Sequence, residues 1–495
     1  MRVLILVSLI LGSLIPMWVG AACTGSSPAW TATPDRASVG TCVAGASDGD
    51  TVSVTAGDSS ETWTTPLVIT KGIKLIGPGA AALTITNSYA CDPQHSTMIV
   101  YTPTDFSYDA SATTYSFRLS GFTLDGGAVC SIIDLNVSGS NTPQTKVRID
   151  HNIFQNTKPS DSTYGVSIVN RGAWGVVDNN TLSGYIPARN GNGGDKAWWD
   201  NWNGIVYGSS QNLYYEDNII NSEGGIVSDC QYADRYAFRY NTITMTDSAY
   251  PMFDLHGNGA GYYSCFGGEV YGNNVATTFA QKFNQQRGGK MIVALNNCTN
   301  CGGAFYTQVR QESYGERVTD NDCVDQDGTA THCALDGAHQ YVNDSYYWAN
   351  RINYTTDDDS GATDVSSTCG AYVEGNGCQP PALNTPLGGR DFFDITTTPA
   401  IVCGASKGGT CTTGQIYFET AQSCSSLENM VGKTPSTPID GTLYTCTAAN
   451  TWTAKWTPYT YPHPLRGEST PATYPTATLT GTSVAIGVGC TATIY

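Results

Sequence analysis

Positive charge and long apolar segments are both scarce in this chain of 495 residues. Lysine and arginine together number 24 against 42 acidic residues, which gives a formal net charge of −18. A surface with this balance repels nucleic acid and anionic membranes, so neither is expected as a partner. Beyond the amino terminus, no run of residues is apolar enough to span a bilayer. The acidity also argues weakly against a polyanionic glycan, unless a local cluster of arginines offsets the repulsion.

The amino terminus is the exception to this polarity. Residues 1–22 contain one basic residue, a long apolar run and then small residues, which is the pattern of a secretory signal peptide. Cleavage is predicted near Ala21 or Ala22, so the mature protein is expected to be secreted or held at the cell surface. A lipid anchor on Cys23 is the alternative, which Gly20 disfavours because it is a poor match to a lipoprotein signal.

Seventeen cysteines in a secreted chain predict disulfide bonds. Pairing neighbours in chain order leaves Cys490 over, although sequence alone does not fix connectivity. The predicted pairs are Cys23–Cys42, Cys91–Cys130, Cys230–Cys265, Cys298–Cys301, Cys323–Cys333, Cys369–Cys378, Cys403–Cys411 and Cys424–Cys446. The CxxC segment at 298–301 has neither a thioredoxin-like context nor a second set of zinc ligands, so a structural loop is favoured over a redox or zinc site.

An asparagine recurs after short segments in the middle of the chain. Each segment alternates apolar and polar residues, as in Arg148–Phe154, which is typical of a strand. The shortest spacing is 23 residues, from Asn218 to Asn241, and loops lengthen other copies, so the repeat predicts a solenoid. Asparagine tolerates a left-handed turn, and its amide can bond to the next coil. The predicted ladder consists of Asn152, Asn180, Asn218, Asn241, Asn273 and Asn296.

The chain is therefore predicted to be all-β: a parallel β-helix with an asparagine ladder, loop insertions and a C-terminal cap. Residues 49–52 (GDTV) and 71–77 (KGIKLIG) resemble the opening coils of the pectate-lyase-like superfamily, and the resemblance extends to about residue 310. It implies a right-handed β-helix and says less about function. Residues 23–350 are assigned to the β-helix, and 351–495 to cysteine-rich and Thr/Pro-rich coils and a cap over the open end of the coil.

Individual enzyme families match less well. Lys146–Asn152 resembles the WIDH strand of one pectate lyase family, but that family's Arg-x-Pro-x-x-Arg segment and acidic calcium ligands have no counterparts here. Of the polygalacturonase motifs, only fragments at Asp229 and at Leu255–Gly257 are present. Neither family is supported.

Counting from each ladder asparagine brings polar residues of successive coils onto one outward face. Alternation in MFDLHG places Phe253 and Leu255 inward and Asp254 and His256 outward, and Arg287 is also interpreted as outward. The predicted catalytic residues are Asp229, Asp254, His256, Arg287 and Arg310, with Gln286 and Gln308 predicted to bind substrate. The alternative is that these side chains bond to one another only for stability.

Two insertions flank this face. Residues 189–203 are Gly-rich and carry three tryptophans, and residues 258–265 carry two tyrosines. Because tryptophan faces suit the C–H faces of sugars, a stacking platform is predicted, with packing on the outside of the coil as the alternative. The predicted substrate-binding aromatics are Trp198, Trp199, Trp202, Tyr207 and Tyr262.

The surface composition and these residues predict a monomeric, secreted protein that acts on an extracellular polysaccharide. In a lyase, Arg287 or Arg310 would neutralise a uronate carboxylate, and His256 or a tyrosine would remove the C5 proton. In a glycoside hydrolase, Asp229 and Asp254 would be acid and base or nucleophile. The lyase is favoured narrowly over the hydrolase.

A non-catalytic surface protein is the alternative to an enzyme: an adhesin, a glycan-binding module or a structural β-helix. It predicts that the polar residues of the outward face are bonded to one another and dispensable. No cofactor is predicted with certainty. Calcium is left open, because Asp325–Gly328 has calcium-like chemistry but lacks the rest of an EF-hand loop, which favours a simple turn.

Overall fold

The computed structural model shows a parallel β-helix in which each full coil contributes one strand to each of three long sheets, here named sheets A, B and C. Neighbouring coils pair in parallel within each sheet. No helix among the described residues is long and apolar enough to cross a membrane. The described residues are 22–467 except 89–96, 105–115, 128–130, 138–145, 158–164, 192–206, 232–233, 248–249, 258–263, 278–280, 300–304, 314–341, 353–355, 358–361, 370–387, 390–391, 395–396, 423 and 425–437. The predicted signal peptide lies outside them.

Sheet A carries the first strand of each coil, preceded by two strands near the amino terminus. Its strands are Cys23–Ser26, Ala29–Ala32, Thr51–Val54, Lys74–Ile76, Phe117–Ser120, Lys146–Asp150, Trp174–Asp178, Leu213–Glu216, Arg235–Arg239, Gly267–Tyr271, Lys290–Ala294, Ser345–Trp348 and Phe392–Phe393.

Sheets B and C follow sheet A within each coil. The strands of sheet B are Ser60–Trp63, Thr84–Asn87, Thr123–Asp125, Ile153–Gln155, Thr181–Gly184, Ile219–Ser222, Thr242–Met245, Asn274–Ala276, Asn297–Thr299, Arg351–Ile352 and Thr356–Asp357. The strands of sheet C are Leu67–Ile69, Thr97–Tyr101, Ser131–Asn136, Val166–Arg171, Ile186–Asn190, Ser228–Cys230, Phe253–Leu255, Gln281–Gln286, Phe305–Ser313 and Ala362–Cys369.

The inward side chains of the three sheets form an apolar core that runs along the coil. Each strand alternates, as Phe253 and Leu255 illustrate: both are fully buried inside, whereas Asp254 between them faces outward. A helix that the sequence patterns did not predict, Arg36–Gly45, packs against the first coil. Its N-cap is Asp35, whose carboxylate accepts the backbone N–H of Ser38 at 2.8 Å.

The asparagine ladder is confirmed, and Asn350 extends it by one coil. Each ladder amide donates to the carboxamide oxygen of the next asparagine; Asn218 Nδ2, for example, lies 3.0 Å from Asn241 Oδ1. The same oxygen also accepts the backbone N–H of Asn218 at 3.0 Å. These bonds satisfy polar groups that would otherwise be buried without partners.

The expectation that the asparagines themselves take the left-handed conformation was wrong. The left-handed residue is the one before each ladder asparagine, as at His151, Asp217 and Tyr240, with φ of 56°, 56° and 59°. The turn places this residue at the outer corner, so the following asparagine can point its amide into the bend. Residue types as bulky as tyrosine accept the position because the ladder bonds and the paired strands hold the turn.

Replacing Asn241 with alanine is expected to lower the free energy of unfolding by about 1–3 kcal/mol for each buried partner left unsatisfied. Its amide donates to Tyr215 O at 2.9 Å and to Asn273 Oδ1 at 2.9 Å, inside the bend. Denaturant titration measures the change. The control is Asn221→Ala, because Asn221 is half-buried outside the ladder and its amide donates to Ser183 Oγ, at 3.1 Å. Equal losses in both variants would contradict a specific role of the ladder.

Two of the predicted disulfides are confirmed and two are wrong. Cys23–Cys42 and Cys230–Cys265 form as expected. The four cysteines near the carboxyl terminus pair as Cys403–Cys424 and Cys411–Cys446, because the strands that carry them are brought together by a separate small sheet and not by chain order. Cys298 is disulfide-bonded, with a partner outside the described residues. The remaining predicted pairs involve residues outside the described part.

The small sheet, sheet D, lies on the outward face of sheet A. Its aromatic residues Phe418 and Trp456 pack on Trp348, with ring centroids 5.1 and 5.6 Å away. The segment predicted to cap the coil thus packs, within the described residues, on the outer face of sheet A. Sheet A carries large apolar side chains outward as well as inward here, and sheet D removes them from water. The strands of sheet D are Ile401–Gly404, Ile416–Glu419, Thr442–Ala448 and Thr451–Trp456, and a 3₁₀ helix spans Pro464–Gly467.

Residues 457–467, which we name the return segment, run from sheet D back along sheet A toward earlier coils. Tyr459 stacks on Tyr214, with ring centroids 5.2 Å apart. Arg466 Nη1 lies 2.9 Å from the carboxylate of Glu216, which is fully buried. The return segment thus covers a row of aromatic and charged side chains on the outer face of sheet A.

Candidate functional site

The predicted polar face lies on the outside of sheet C, where three neighbouring strands end. Strand register places Asp229 beside Asp254, and Asp254 beside Gln285. His256 and Arg287 each follow directly after a strand, and their backbone N–H groups continue the pairing, at 2.9 Å from the carbonyls of Cys230 and Leu255. Two rows of polar side chains from adjacent coils therefore face one another.

We name the group formed by Asp229, Asp254, His256, Arg287 and Arg189 the sheet C cluster. Nε2 of His256 lies 2.9 Å from Asp229 Oδ1 and 3.6 Å from Asp254 Oδ2. Arg287 holds Asp254 with both ends of its guanidinium group, at 3.0 and 2.6 Å. Arg189 Nε lies 3.7 Å from Asp229 Oδ2 on the other side. The side chains of Asp229 and Asp254 are 11% and 9% exposed, while about a fifth of the His256 side chain is exposed.

The charges of the cluster reinforce one another. Burial by itself raises the pKa of Asp229, but the charge and hydrogen bond of His256, together with Arg189 and Arg287, outweigh it and lower the pKa to about 2. Burial lowers the pKa of His256, but the carboxylates of Asp229 and Asp254 outweigh it and raise the pKa. The two groups thus favour each other's charged form, the imidazolium of His256 and the carboxylate of Asp229.

The cluster concentrates basic side chains in a chain that is acidic overall. Two carboxylates, Asp229 and Asp254, face two arginines, Arg189 and Arg287, together with His256. The chain as a whole carries −18. This is the local arginine-rich offset that an acidic protein needs before it can take a negatively charged group.

A metal ion fits this arrangement poorly. Asp229, Asp254 and His256 bring possible ligand atoms within 4.8 Å of one another. Calcium, however, takes about six to eight oxygen ligands, and here one of the three is a nitrogen. Arg287 already occupies the carboxylate of Asp254, and His256 would have to lose its proton to bind any metal. The other calcium candidate, Asp325–Gly328, lies outside the described residues.

Two predicted substrate-binding residues do not reach this surface. Gln286 points into the coil, where it donates to Ser345 Oγ at 2.8 Å and accepts from the hydroxyl group of Tyr347. Gln285 takes the outward place beside Asp254, because alternation along the strand turns Gln286 inward with Leu255. Tyr207 packs instead against the aromatic cluster under sheet D.

The other predicted contacts are only partly described. Gln308 lies in register with Gln285, and Arg310 comes two residues later in the same strand, so both belong to the next coil of sheet C. Their side chains lie outside the described part, as do Trp198, Trp199, Trp202 and Tyr262 with most of both insertions. Of the predicted site residues, the described structure brings together Asp229, Asp254, His256 and Arg287.

Arg189 is the member that the sequence patterns missed. It belongs to the strand Ile186–Asn190 and pairs in register with Asp229. Arg189 lies only nine residues after Asn180, at the start of the insertion, whereas the site residues of the later coils lie farther from their own ladder asparagine. Its distance from the ladder therefore did not indicate that it shares their face. Alternation in the strand Ile186–Asn190 does indicate it, because Ala188 and Asn190 point inward and Arg189 between them must point outward.

The disulfide Cys230–Cys265 lies next to the cluster. Cys230 ends the strand that carries Asp229, and Cys265 follows the second insertion, so the bond ties that insertion to the cluster as predicted. The backbone N–H of Cys265 also donates to the carbonyl of His256 at 2.9 Å. The backbone of His256 is therefore held at both its N–H group, by Cys230, and its carbonyl group, by Cys265.

The two pKa shifts define a pH window for the stability that the pair contributes. The raised pKa of His256 contributes stability that is fully present below its ordinary value of 6.5 and is lost as pH rises through the folded-state value. The lowered pKa of Asp229 contributes stability that is present above 3.8 and is lost as pH falls through about 2. The melting-temperature difference between wild type and His256→Gln is expected to be largest between 3.8 and 6.5. A difference that does not change with pH would contradict the charged pair.

Comparison with known proteins gives no further guide: no protein family, no curated protein and no solved structure matches the chain.

Proposed function

We propose that the protein is a secreted polysaccharide lyase that cleaves a uronate-containing extracellular polysaccharide at the sheet C cluster. The observation that carries this proposal is the grouping of two arginines, Arg189 and Arg287, around His256 on one outward face of a chain whose net charge is −18. A uronate carboxylate is the sugar group that such a cluster attracts. The disulfides among the described residues support an extracellular location.

The proposed reaction is a β-elimination. The cations of the cluster hold the uronate carboxylate, which makes its C5 proton more acidic. Neutral His256 takes that proton at Nε2, the C5 electron pair forms the C4–C5 double bond, and the bond from C4 to the leaving oxygen breaks. The leaving oxygen takes a proton from solvent or from a neighbouring acid. His256 has to lose its resting proton first, so the proposed activity rises with pH through the raised pKa.

Hydrolysis fits the same residues less well. A glycoside hydrolase needs one carboxyl group that is protonated near neutral pH, so that it can donate to the leaving oxygen. The pKa of Asp229 is lowered to about 2, and Asp254 is held by Arg287 through both carboxylate oxygens. Asp229 is therefore kept ionised, and both oxygens of Asp254 are already engaged by Arg287.

A non-catalytic glycan-binding protein is the second candidate, and one observation favours it. Asp229, His256, Asp254 and Arg287 are bonded to one another, as that hypothesis predicts. Such a network stabilises the coil whether or not substrate reacts there. The two candidates therefore differ in turnover and not in geometry.

A panel of neutral and acidic polysaccharides separates these candidates. Purified protein is assayed with and without calcium, by ultraviolet absorbance of the unsaturated uronate and by release of reducing ends. Absorbance together with reducing ends on a uronate polymer supports the lyase. Reducing ends without absorbance indicate hydrolysis. Binding to one glycan without either product would contradict an enzyme and support the binding protein.

A further inference from the structure

Arg235 is a buried cation that lacks a carboxylate partner. It begins the strand Arg235–Arg239 on the outer face of sheet A, with only 3% of its surface exposed. Nε donates to the carbonyl of Gln211, and the guanidinium group lies over the ring of Trp174, 5.1 Å from its centroid. Nη1 and Nη2 are enclosed, and among the described residues they have no acceptor.

Three other buried arginines on the same face of sheet A are neutralised directly. Arg118, Arg148 and Arg239 each bind a carboxylate there, at 2.6 to 3.1 Å. An enclosed charge without such a partner is strongly destabilising, so a counter-charge is expected at Arg235. This contrast within one sheet is the first observation that indicates a ligand.

A second enclosed donor lies beside the first. Nε1 of Trp174 is buried without an acceptor in the described part of the chain. The guanidinium reaches from the strand Arg235–Arg239 across Gln211 to Trp174, so the enclosed donors of both side chains lie on the same side of that strand. Two sets of enclosed donors without acceptors therefore occur together.

Asp234 does not supply the missing charge in full. Its Oδ1 accepts the backbone N–H of Arg235 at 2.8 Å, whereas its Oδ2 has no donor among the described residues. Burial raises the pKa of this carboxyl to about 7, against the opposing effect of the backbone bonds and of Arg235. Near neutral pH it is ionised only part of the time.

We propose that Arg235 and Trp174 bind a small, singly charged free anion, of the size of chloride or formate, in a buried site on the outer face of sheet A. One negative charge neutralises one guanidinium group, and the planar N–H donors of that group can bind a halide or a carboxylate. A polymer is not the ligand, because the nitrogens are enclosed. The site does not depend on the proposed lyase activity.

The test is thermal unfolding at constant ionic strength, with sodium gluconate replaced stepwise by sodium chloride or sodium formate. Gluconate is too large for the enclosed site. The melting temperature of the wild type is expected to rise and to saturate. Arg235→Met is expected to abolish the saturable rise, and Arg171→Met to keep it, because Arg171 already pairs with Asp134 at 3.0 Å.

Two further measurements test the anion site if Arg235→Met does not fold. Trp174→Phe keeps the stacked ring but removes the Nε1 donor, so half-saturation is expected at a severalfold higher anion concentration. Crystals grown in bromide are expected to show an anomalous scattering peak beside Arg235. No saturable rise in the wild type, or an equal rise in Arg235→Met, would overturn the site and leave a buried water as the partner.

Discussion

Replacing His256 with glutamine is expected to lower kcat on the cleaved polysaccharide by about 10²- to 10⁴-fold, the usual contribution of a positioned general base. Glutamine can still donate a hydrogen bond to Asp229, so the loss reports the missing proton transfer more than a collapsed site. KM and binding of the glycan are expected to change little, because the arginines remain. Initial rates over a range of substrate concentrations measure both.

The matched control is His151→Gln. His151 also pairs with a buried aspartate, with Nδ1 2.8 Å from Asp150 Oδ2, but it lies at the corner between sheets A and B. Full activity in this variant shows that removal of a histidine–aspartate pair is not enough to inactivate the protein. Equal kcat in wild type and His256→Gln would contradict the proposed base. In the wild type, kcat/KM is expected to rise with pH through the raised pKa of His256, and this limb should vanish in the variant.

Replacing Arg239 with methionine is expected to lower the free energy of unfolding by about 3–5 kcal/mol. Arg239 is fully buried, its Nε lies 2.8 Å from Glu216 Oε2, and its Nη2 donates to the carbonyl of Thr460 at 2.8 Å. Methionine fills much of the volume, so the loss comes from a carboxylate left buried with less positive charge. Denaturant titration measures it.

A second substitution distinguishes charge from packing. Adding Glu216→Gln to the Arg239→Met variant removes the stranded charge, and part of the lost stability is expected to return. The control is Lys407→Met, because the bond from Lys407 to Glu419, 2.7 Å long, is partly exposed and such pairs contribute little. A loss in Arg239→Met no larger than in Lys407→Met would contradict the role of the buried pair.

The fold could be predicted from sequence because successive coils carry an asparagine at the same turn. The asparagine spacing gave the parallel β-helix, and alternation in one strand placed Phe253 inward and Asp254 outward correctly. The placement of sheet D was missed because it depends on outward aromatics, such as Tyr271 and Trp348, that have the same pattern as core residues. No local pattern distinguishes the two faces when both are buried.

The candidate site could be predicted in part. Asp229, Asp254, His256 and Arg287 do meet, because residues at equal offsets from the ladder lie on neighbouring coils. Gln286 was misplaced because it and its neighbour Arg287 were both assigned to the outward face, whereas successive residues of a strand point to opposite faces. The direction of the pKa shifts follows from distances and burial, which the sequence does not contain.

The return segment changes how the β-helix can unfold. Coils of a solenoid contact mainly their neighbours, so such proteins can fray from an end, one repeat at a time. Here Trp456 packs against the strand Ser345–Trp348, while Nη1 of Arg148, six sheet A strands away, donates to the carbonyl of Leu465 at 3.4 Å. A chain that fastens distant coils to one another makes them open together, so this stretch of the coil should unfold as a single cooperative unit.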